Sequence, residues 1–536
     1  MGFSCCGRRP KKAGTEKLTP VHDEVVYPLH FLDQSTLQQE LVTWVLSFND
    51  VLSVVPLHQS LCTLLEIGDW KKLGTRLRVR HAEADHLLSQ NDGLMEAYAP
   101  KVFTAQNPPC TFFHEKFFDT PIQRDPIGKH FILPNKRAFT QRYPSDYRRL
   151  FLPPGVPSTV QDIVDGGLSQ LVLRVLSFRD ATVVTLSWPP NSMDTAGFKA
   201  LLQNWSLCMA GRTDEVATVF GAREDVLANL VMSAEEKKNL DELRVDSKLK
   251  ALSQNPISKW WRRRSHKPLQ SRMVFIPQAI YDDFMKEIRE DIAGILEDDD
   301  QRPVTTAADI ILAWISKLQA AADLKPRGVL STSLVNLRCR MSTLRDPSGE
   351  YLQNLTLPCY SYISPEEATD TIGAIALQHK HNMQDQTSEH QLLALAKHII
   401  DKKKRGKNPL PIYNVSRIPL LEFHNFSPLQ LFSAADFSPA VVCTDAFDGP
   451  RWNPPGRMTA AYYLMESTNF DESVCAVLGK DLGGNFWMTC QLEPEVWVKV
   501  EEELYNLQKT VNSPTSGHCI RFYDYSARKV SVRSTF

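Results

Sequence analysis

A short stretch near residue 190 combines features of a catalytic corner. The apolar segment up to Trp188 predicts a buried strand, residues 189–192 (PPNS) predict a tight turn, and an amphipathic helix follows Asp194. Backbone N–H groups at such a corner can face negative charge that develops during a reaction. The same pattern also fits an ordinary helix start, with Asn191 or Ser192 as the N-cap and Asp194 near the positive end of the helix.

Other common catalytic and metal-binding signatures are absent from the sequence. It contains no GxxxxGK[ST], GxGxxG, GxSxG or HExxH string, and its eleven cysteines form no CxxC pair. We therefore expect no metal site. Two HxxxD strings, His81–Asp85 and His381–Asp385, lie in a polar stretch and within a predicted helix. We interpret both histidines as surface residues, because neither stands at a strand-to-helix corner.

A basic segment with two tryptophans, residues 259–267 (KWWRRRSHK), lies in a charged region of the chain. Its guanidinium groups could bind a phosphate-bearing ligand, and its indoles could stack on nucleic-acid bases. The same composition also fits a linker whose tryptophans pack onto a domain. The chain carries 61 Lys and Arg against 62 Asp and Glu. This balance gives no support for a nucleic-acid partner, and we expect none.

The N-terminus, MGFSCCGRRPKK, carries possible lipid-attachment residues ahead of a basic run. Gly2, Cys5 and Cys6 could take acyl chains, and a chain combined with a polybasic patch anchors a protein at a membrane surface. A plain, unmodified terminus is the alternative. No apolar run approaches the roughly 18–20 residues of a spanning helix, and no secretory signal begins the chain. We expect a cytoplasmic protein, with peripheral membrane contact as an option.

Strands and helices alternate irregularly in both halves, which predicts a mixed α/β (α+β) class. Helices are predicted at 35–50, 57–70, 193–210, 304–321, 366–385 and 494–509. A hairpin is predicted at 168–188, with its turn at Arg179-Asp180. A strand that runs into a helix is predicted at 273–288, and single strands are predicted at 328–341 and 485–492. The predicted division is a disordered N-terminus (1–24), a domain (25–235), a crossover linker (236–272) and a second domain (273–536).

The order of several segments resembles the BAHD-type acyl-CoA-dependent acyltransferases, in their fungal secondary-metabolism branch. "SWPPNSMDTAGF" (187–198) corresponds to that family's Trp-Pro-His-x-x-x-Asp corner. Further segments follow in the family's order: 50–79, "VTTAADIILAWI" (304–315), "VNLRCRM" (335–341), "YNVSRIP" (413–419) and "ADFSPA" (435–440). No single motif is specific, whereas their joint order covers about residues 25–510.

This resemblance implies a fold similar to chloramphenicol acetyltransferase, with two domains that enclose a tunnel. It implies an O-acyltransferase that moves an acyl group, first of all acetyl, from acyl-CoA to a hydroxyl or amine of a secondary metabolite. Acyl-CoA would be a co-substrate, with no permanently bound cofactor, and the enzyme would be a monomer. Asp194 would be the structural aspartate of the corner, with Arg338 or Arg340 as its partner. Asn414 and Ser416 would approach the coenzyme A or the oxyanion.

Two departures from the family pattern bear on activity. The segment ADFSPA (435–440) corresponds to a second motif of that family, and Asp436 would be its structural aspartate. The two glycines of this second motif are replaced here by Ser438 and Ala440. More importantly, Pro190 stands where the resemblance places the histidine that acts as general base. Proline has no side-chain proton acceptor, and losing such a base typically costs about 10²–10⁴ in rate.

Two hypotheses follow from Pro190. Either the chain is an active acyltransferase, or it is a catalytically impaired relative that binds a metabolite or a partner. A base from elsewhere in the chain could replace the histidine, and His58, His81 and His424 are the candidates for that role.

Overall fold

Two mixed β-sheets, one of five strands and one of seven, form the centre of the structure. The structure is a computed structural model that describes residues 24–33, 36–80, 94–117, 119–126, 128–131, 136–143, 150–237, 240, 242–244, 268–296, 304–323, 325–346, 348–405, 418, 420–443, 453–464 and 472–512.

The strands of the described residues are Glu24–Tyr27 (β1), Val42–Phe48 (β2), Val51–Leu52 (β3), Arg76–Arg80 (β4), Leu94–Pro100 (β5), Thr111–Phe117 (β6), Phe139–Arg142 (β7), Val172–Phe178 (β8), Thr182–Trp188 (β9), Thr218–Phe220 (β10), Gln270–Ile276 (β11), Val329–Asn336 (β12), Gly349–Tyr351 (β13), Thr356–Ile363 (β14), Leu420–Asn425 (β15), Val441–Cys443 (β16), Ala460–Leu464 (β17), Ser473–Lys480 (β18) and Phe486–Leu492 (β19).

The α-helices in the same ranges are Val54–Glu66 (α1), Val160–Asp165 (α2), Thr195–Met209 (α3), Val226–Glu236 (α4), Gln278–Ile295 (α5), Ala307–Ala320 (α6), Ile372–Gln384 (α7), Glu389–Lys404 (α8), Leu431–Ala434 (α9) and Pro494–Asn512 (α10). Of these described helices, none is long and apolar enough to cross a membrane.

The five-stranded sheet has the order β17-β2-β9-β8-β6, and the predicted hairpin forms its interior. Strands β8 and β9 pair antiparallel, and every residue of both is buried. A strand covered on both faces has no exposed side, so its sequence is a near-continuous apolar run rather than an alternation. The turn is fixed where the carboxylate of Asp180 accepts a hydrogen bond from the backbone N–H of Ile122 at 2.8 Å. The hairpin prediction is confirmed.

The prediction of a helix over residues 35–50 is wrong. Residues Val42–Phe48 form β2, which pairs antiparallel with β9 on one side and with β17 on the other. The apolar residues of this segment happen to recur at steps of three and four, as they do in a helix. However, β2 is a central strand buried on both faces, and its Val, Thr, Trp and Phe residues are typical of strands.

Each large sheet contains one strand from the other half of the chain. The seven-stranded sheet has the order β14-β12-β15-β18-β19-β11-β7, and β7 comes from the first 150 residues. The edge strand β17 of the five-stranded sheet comes from the last 80 residues. The two halves are therefore tied together by backbone pairing at two separate sheet edges. The domain boundaries at 235 and 273 stay a prediction.

Helix ends and faces follow the sequence signals in two helices that the resemblance singled out. The sequence allows Thr305 or Thr306 as the N-cap of α6; the structure has Thr306, which forms a reciprocal capping box with Asp309. In α3, the apolar stripe predicted at Phe198, Leu202, Trp205 and Met209 is fully buried at its first three positions and half-buried at Met209, and the helix packs against α1. The packing of this stripe fixes where α3 begins, and with it the corner that precedes the helix.

Candidate active site

The corner after β9 is a closed turn with little conformational freedom. The backbone N–H of Ser192 donates to the carbonyl oxygen of Pro189 at 2.9 Å. The indole Nε1–H of Trp188, which is buried, donates to the carbonyl oxygen of Met193 at 3.0 Å. The strand end and the end of the turn are thus joined directly, so the residues between them are held at a defined place.

Asp194 is the N-cap of α3. Helix α3 begins at Thr195, and the Oδ1 atom of Asp194 accepts a hydrogen bond from the backbone N–H of Gly197 at 3.0 Å. The expectation that Asn191 or Ser192 caps this helix is wrong, because both residues lie in the turn that precedes the extended Asp194. A carboxylate at this position also interacts favourably with the positive end of the helix.

The Asp194 carboxylate forms a two-pronged ion pair with Arg338. The two guanidinium N–H groups donate to Oδ2 at 2.8 Å and to Oδ1 at 3.2 Å, and the backbone N–H of Leu355 donates to Oδ2 at 3.0 Å. The side chains of the pair are only 8% (Asp194) and 13% (Arg338) exposed. Of the two arginines considered from the sequence, Arg338 contacts Asp194, whereas Arg340 is exposed.

Arg338 also organises the loop that faces the corner. Its NH2 group donates to the carbonyl oxygens of Tyr351 and Gln353, both at 2.8 Å, and its NH1 group lies 3.3 Å from the Oδ1 atom of Asn336. Bidentate pairing with a carboxylate uses the planar fork of arginine, which lysine cannot reproduce. Arg338 therefore holds the segment 336–355 of the second half against the corner of the first half.

A second anchor holds the carbonyl of Pro190. The side-chain amide of Asn354 donates to the Pro190 oxygen at 3.0 Å, and the backbone and amide N–H groups of Asn354 both donate to Asp33 Oδ1 at 2.9 Å. The other oxygen of Asp33 lies 3.3 Å from the ammonium of Lys72, and both charged side chains are almost completely buried. Sequence reasoning missed this chain of contacts.

A third anchor holds the hydroxyl of Ser192. This hydroxyl donates to the Oε1 atom of Gln170 at 2.7 Å, and the Nε2 of Gln170 donates to the hydroxyl of Thr75. The Thr75 hydroxyl in turn donates to the carbonyl oxygen of Lys72 at 2.7 Å. The second and third anchors therefore meet at Lys72, and the turn is fixed by a buried polar network as well as by the Asp194 ion pair.

An aromatic cluster from both halves packs beside α3. Trp44 lies 5.4 Å from Phe198, 5.7 Å from Phe426 and 5.1 Å from Tyr463 between ring centroids, and Trp188 lies 4.8 Å from Phe198. Phe426 follows β15 of the seven-stranded sheet, whereas Tyr463 lies on the exchanged strand β17. Burial, followed by the charge of Glu422, raises the pKa of Tyr463 to about 12. The phenol is therefore neutral at physiological pH.

His58 contacts Phe112 and Cys62. Its ring stacks on Phe112 with 4.3 Å between centroids, and its Nε2 lies 3.4 Å from the Cys62 sulfur. Burial lowers the pKa of His58. The ring and polar contacts that the described residues give His58 go to these two residues and not to the corner.

His424 has a carboxylate partner at the edge of the aromatic cluster. Its Nε2 lies 3.6 Å from Glu422 Oε2, and its ring meets Phe426 edge-on at 5.9 Å. A carboxylate beside an imidazole can fix the orientation of the ring. Through Phe426, His424 joins the same cluster as Trp44, but its described contacts do not reach Pro190 either. His81 lies outside the described residues.

Asp436 fastens the second motif to α3. Its Oδ2 pairs with Arg457 at 2.7 Å, and its backbone N–H donates to the hydroxyl of Ser206 at 2.9 Å. The backbone N–H of Ser438 donates to Asp436 Oδ1 at 3.1 Å. Because the aspartate pairs with a distant arginine and holds a turn, its environment matches a structural role. Arg457 was not singled out from the sequence.

Several residues selected from the sequence lie outside the described residues: Asn414, Ser416, Gly2, Cys5, Cys6 and the segment 259–267. Among the residues that are described, no group of three or more His, Cys, Asp or Glu side chains could hold a metal ion.

The mixed α/β fold matches those of TRI101 and vinorine synthase. F. graminearum TRI101, solved with coenzyme A and T-2 mycotoxin, superposes with a TM-score of 0.62 at 12% identity, over 90% of this chain and 98% of that chain. Vinorine synthase superposes with a TM-score of 0.52 at 12% identity, over 91% and 95%. The predicted fold class is confirmed.

Curated relatives match along almost the whole chain. The O-acetyltransferase PaAT-2 of Phomopsis amygdali is 26% identical, covering 91% of this chain and 99% of its own length. The acetyltransferase pyiB of Pyricularia grisea is 26% identical, covering 96% of this chain and 100% of its own length. No protein-family model matches the chain.

We expect replacement of Asp194 by alanine to lower the free energy of unfolding by about 3–5 kcal/mol, because it strands the mostly buried Arg338 charge and removes the cap of α3. Urea unfolding measures the loss. Asp194→Asn is the matched variant, since it keeps an N-cap acceptor and removes only the charge, and its loss should be smaller. In an Arg338→Met background the cost of Asp194→Ala should shrink; an unchanged cost would show that the ion pair is not responsible.

Gly456 is predicted to be intolerant of a side chain. Its φ is +73°, and a Cβ atom there would lie 2.2 Å from the backbone nitrogen of Ser438. Gly456→Ala should therefore lower the free energy of unfolding by at least about 1–3 kcal/mol. Gly294→Ala is the control, because Gly294 lies in α5 with nothing near its Cβ position, and it should stabilise by about 0.5–1 kcal/mol. Equal effects in thermal melts would contradict this.

Proposed function

We propose that the protein transfers an acyl group, first of all an acetyl group, from acyl-CoA to a hydroxyl or amine of a fungal secondary metabolite. The observation that carries the proposal is the Asp194 corner, held by Arg338 from the other half of the chain, within the acyl-CoA-dependent acyltransferase fold. Full-length relatives named as acetyltransferases support the same activity. They do not favour the alternative of a non-catalytic binding protein.

Acyl-CoA enters this scheme as a co-substrate. F. graminearum TRI101 has been solved with coenzyme A and T-2 mycotoxin, and also with ethyl coenzyme A. By the same chemistry, the acceptor oxygen or nitrogen of the metabolite attacks the thioester carbonyl carbon. The tetrahedral intermediate then collapses, the carbon–sulfur bond breaks, and the proton of the acceptor ends on the sulfur of coenzyme A. No permanently bound cofactor enters these steps.

Pro190 occupies, in this proposal, the position of the general base. Its ring cannot accept a proton, whereas its carbonyl is fixed by Asn354 at 3.0 Å and the turn around it is closed. The support for this placement is the spacing to Asp194, whose carboxylate points to Arg338 as a structural aspartate does. Positioning and electrostatic stabilisation then supply the rate, since these contributions survive without a base.

We predict that Pro190→His raises kcat by about 10²–10⁴-fold, because an imidazole at this corner can take the proton of the acceptor. The measurement is product formation from acetyl-CoA and a panel of hydroxylated metabolites, followed by mass spectrometry. Pro190→Ala is the control, since it also removes the ring but adds no base. A gain in Pro190→Ala equal to that in Pro190→His would show that the ring, and not the missing base, limits the rate.

The proposed function itself fails if neither the unaltered protein nor Pro190→His acylates a metabolite or binds coenzyme A in titration calorimetry. Binding of coenzyme A without turnover, with activity appearing only in Pro190→His, would instead support the impaired relative.

We further propose a cytoplasmic monomer. Acylation at Gly2, Cys5 or Cys6 would add peripheral membrane contact, because two acyl chains, or one chain with the basic run, suffice for stable anchoring.

A further inference from the structure

Asn191 is a buried residue of the corner whose side-chain polar atoms are both unpaired. Its side chain is 1% exposed, and neither its amide nitrogen nor its amide oxygen has a hydrogen-bond partner among the described residues. It lies in the turn directly after Pro190, three residues before Asp194. Buried polar side chains are nearly always paired in native proteins, so an unpaired one at such a place requires an explanation.

The neighbours of Asn191 show that the turn is not loosely built. The carbonyl of Pro190 accepts from Asn354, the hydroxyl of Ser192 donates to Gln170, and the carboxylate of Asp194 accepts from Arg338 and two backbone N–H groups. A buried amide without partners costs about 1–3 kcal/mol of stability. The fold therefore keeps a costly free amide at the one residue next to the proposed base position.

We propose that the Asn191 amide is a catalytic group that donates a hydrogen bond from Nδ2 to the carbonyl oxygen of the acyl thioester. This inference rests on the proposed function and names a residue for it. As the acceptor attacks the carbonyl carbon, the π-electron pair moves onto that oxygen, and the Asn191 N–H stabilises the resulting negative charge. When the carbonyl re-forms, the carbon–sulfur bond breaks and the sulfur takes the acceptor's proton.

Two features of the turn are compatible with this contact. Pro190 keeps partial exposure, so the turn borders space that a ligand can reach. The Asn191 amide can turn to a ligand without breaking a hydrogen bond of its own side chain, since that side chain has none among the described residues. An amide does not titrate in the physiological range, so it suits electrostatic stabilisation and not proton abstraction. This agrees with a corner that lacks a base.

The test replaces Asn191 by leucine, which has nearly the same size and no polar atoms. We expect Asn191→Leu to lower kcat about 10²–10³-fold with little change in the KM for acetyl-CoA, as for loss of one oxyanion donor. We also expect a higher melting temperature, because the unpaired amide is removed. Reduced activity with raised stability is a combination that a merely structural residue would not give.

Asn204→Leu is the matched control. Asn204 is also a buried asparagine of the first half, but its amide donates to the carbonyl oxygen of Ala200 at 2.9 Å and accepts from the N–H of Ala217 at 2.8 Å. Its replacement strands these partners, so it should lower the melting temperature without the selective loss of kcat. A kcat of Asn191→Leu within threefold of the unaltered protein would overturn the proposal.

A spectroscopic readout separates this inference from the proposed function. A coenzyme A analogue in which a ketone replaces the thioester keeps the carbonyl but cannot transfer an acyl group. In the unaltered protein, a hydrogen bond from Asn191 should lower the infrared stretching frequency of this carbonyl, and Asn191→Leu should abolish the shift. A shift lost in the variant supports the Asn191 contact even if no turnover is found; an identical frequency in both proteins refutes it.

Discussion

The pairing of Asp194 with Arg338 is the interaction on which the candidate active site depends. Asp194 ends the turn, caps α3 and reaches across to an arginine of the other half, so one carboxylate sets the helix start and the relative position of both halves. Because the pair is mostly buried and bidentate, it fixes the relative orientation of the two side chains as well as stabilising the contact. The anchors at Pro190 and Ser192 then fix the remaining turn through Asn354, Gln170 and the buried Lys72.

The corner and the second motif are both held by an aspartate–arginine ion pair. In each, an aspartate beside α3 holds a turn through a backbone N–H and pairs with an arginine from a distant loop: Asp194 with Arg338, and Asp436 with Arg457. Phe198 and Trp205 of α3 pack under these two regions. Helix α3 therefore contacts both loops: the Asp194 corner precedes its first residue, and the Asp436 segment packs against its C-terminal half.

Much of the fold could be predicted from local sequence, because periodicity and capping signals act over a few residues. The β8–β9 hairpin and the Thr306 cap are examples. The failure at β2 has a physical cause: burial on both faces removes the alternation that identifies a strand. From the sequence, Arg338 and Arg340 are equal candidates for the partner of Asp194, because the resemblance indicates only the segment that contains both. The structure shows that Arg338 is the partner. Asn354, Asp33, Lys72 and Arg457 had no local signal, because their partners lie far away in sequence.

The exchanged strand β17 has a consequence for biosynthesis. Strand β2 is a central strand only when β17 lies beside it, and Thr459 just before β17 donates its side-chain hydroxyl to the carbonyl of Ser47, 412 residues earlier. While the ribosome is still adding the second half, one edge of β2 therefore stays unpaired, and unpaired apolar edges favour aggregation. The first half therefore cannot complete its sheet until β17 has been synthesised. The edge of β2 that β17 covers in the folded protein is thus an aggregation-prone edge of the nascent chain until residue 464 has emerged.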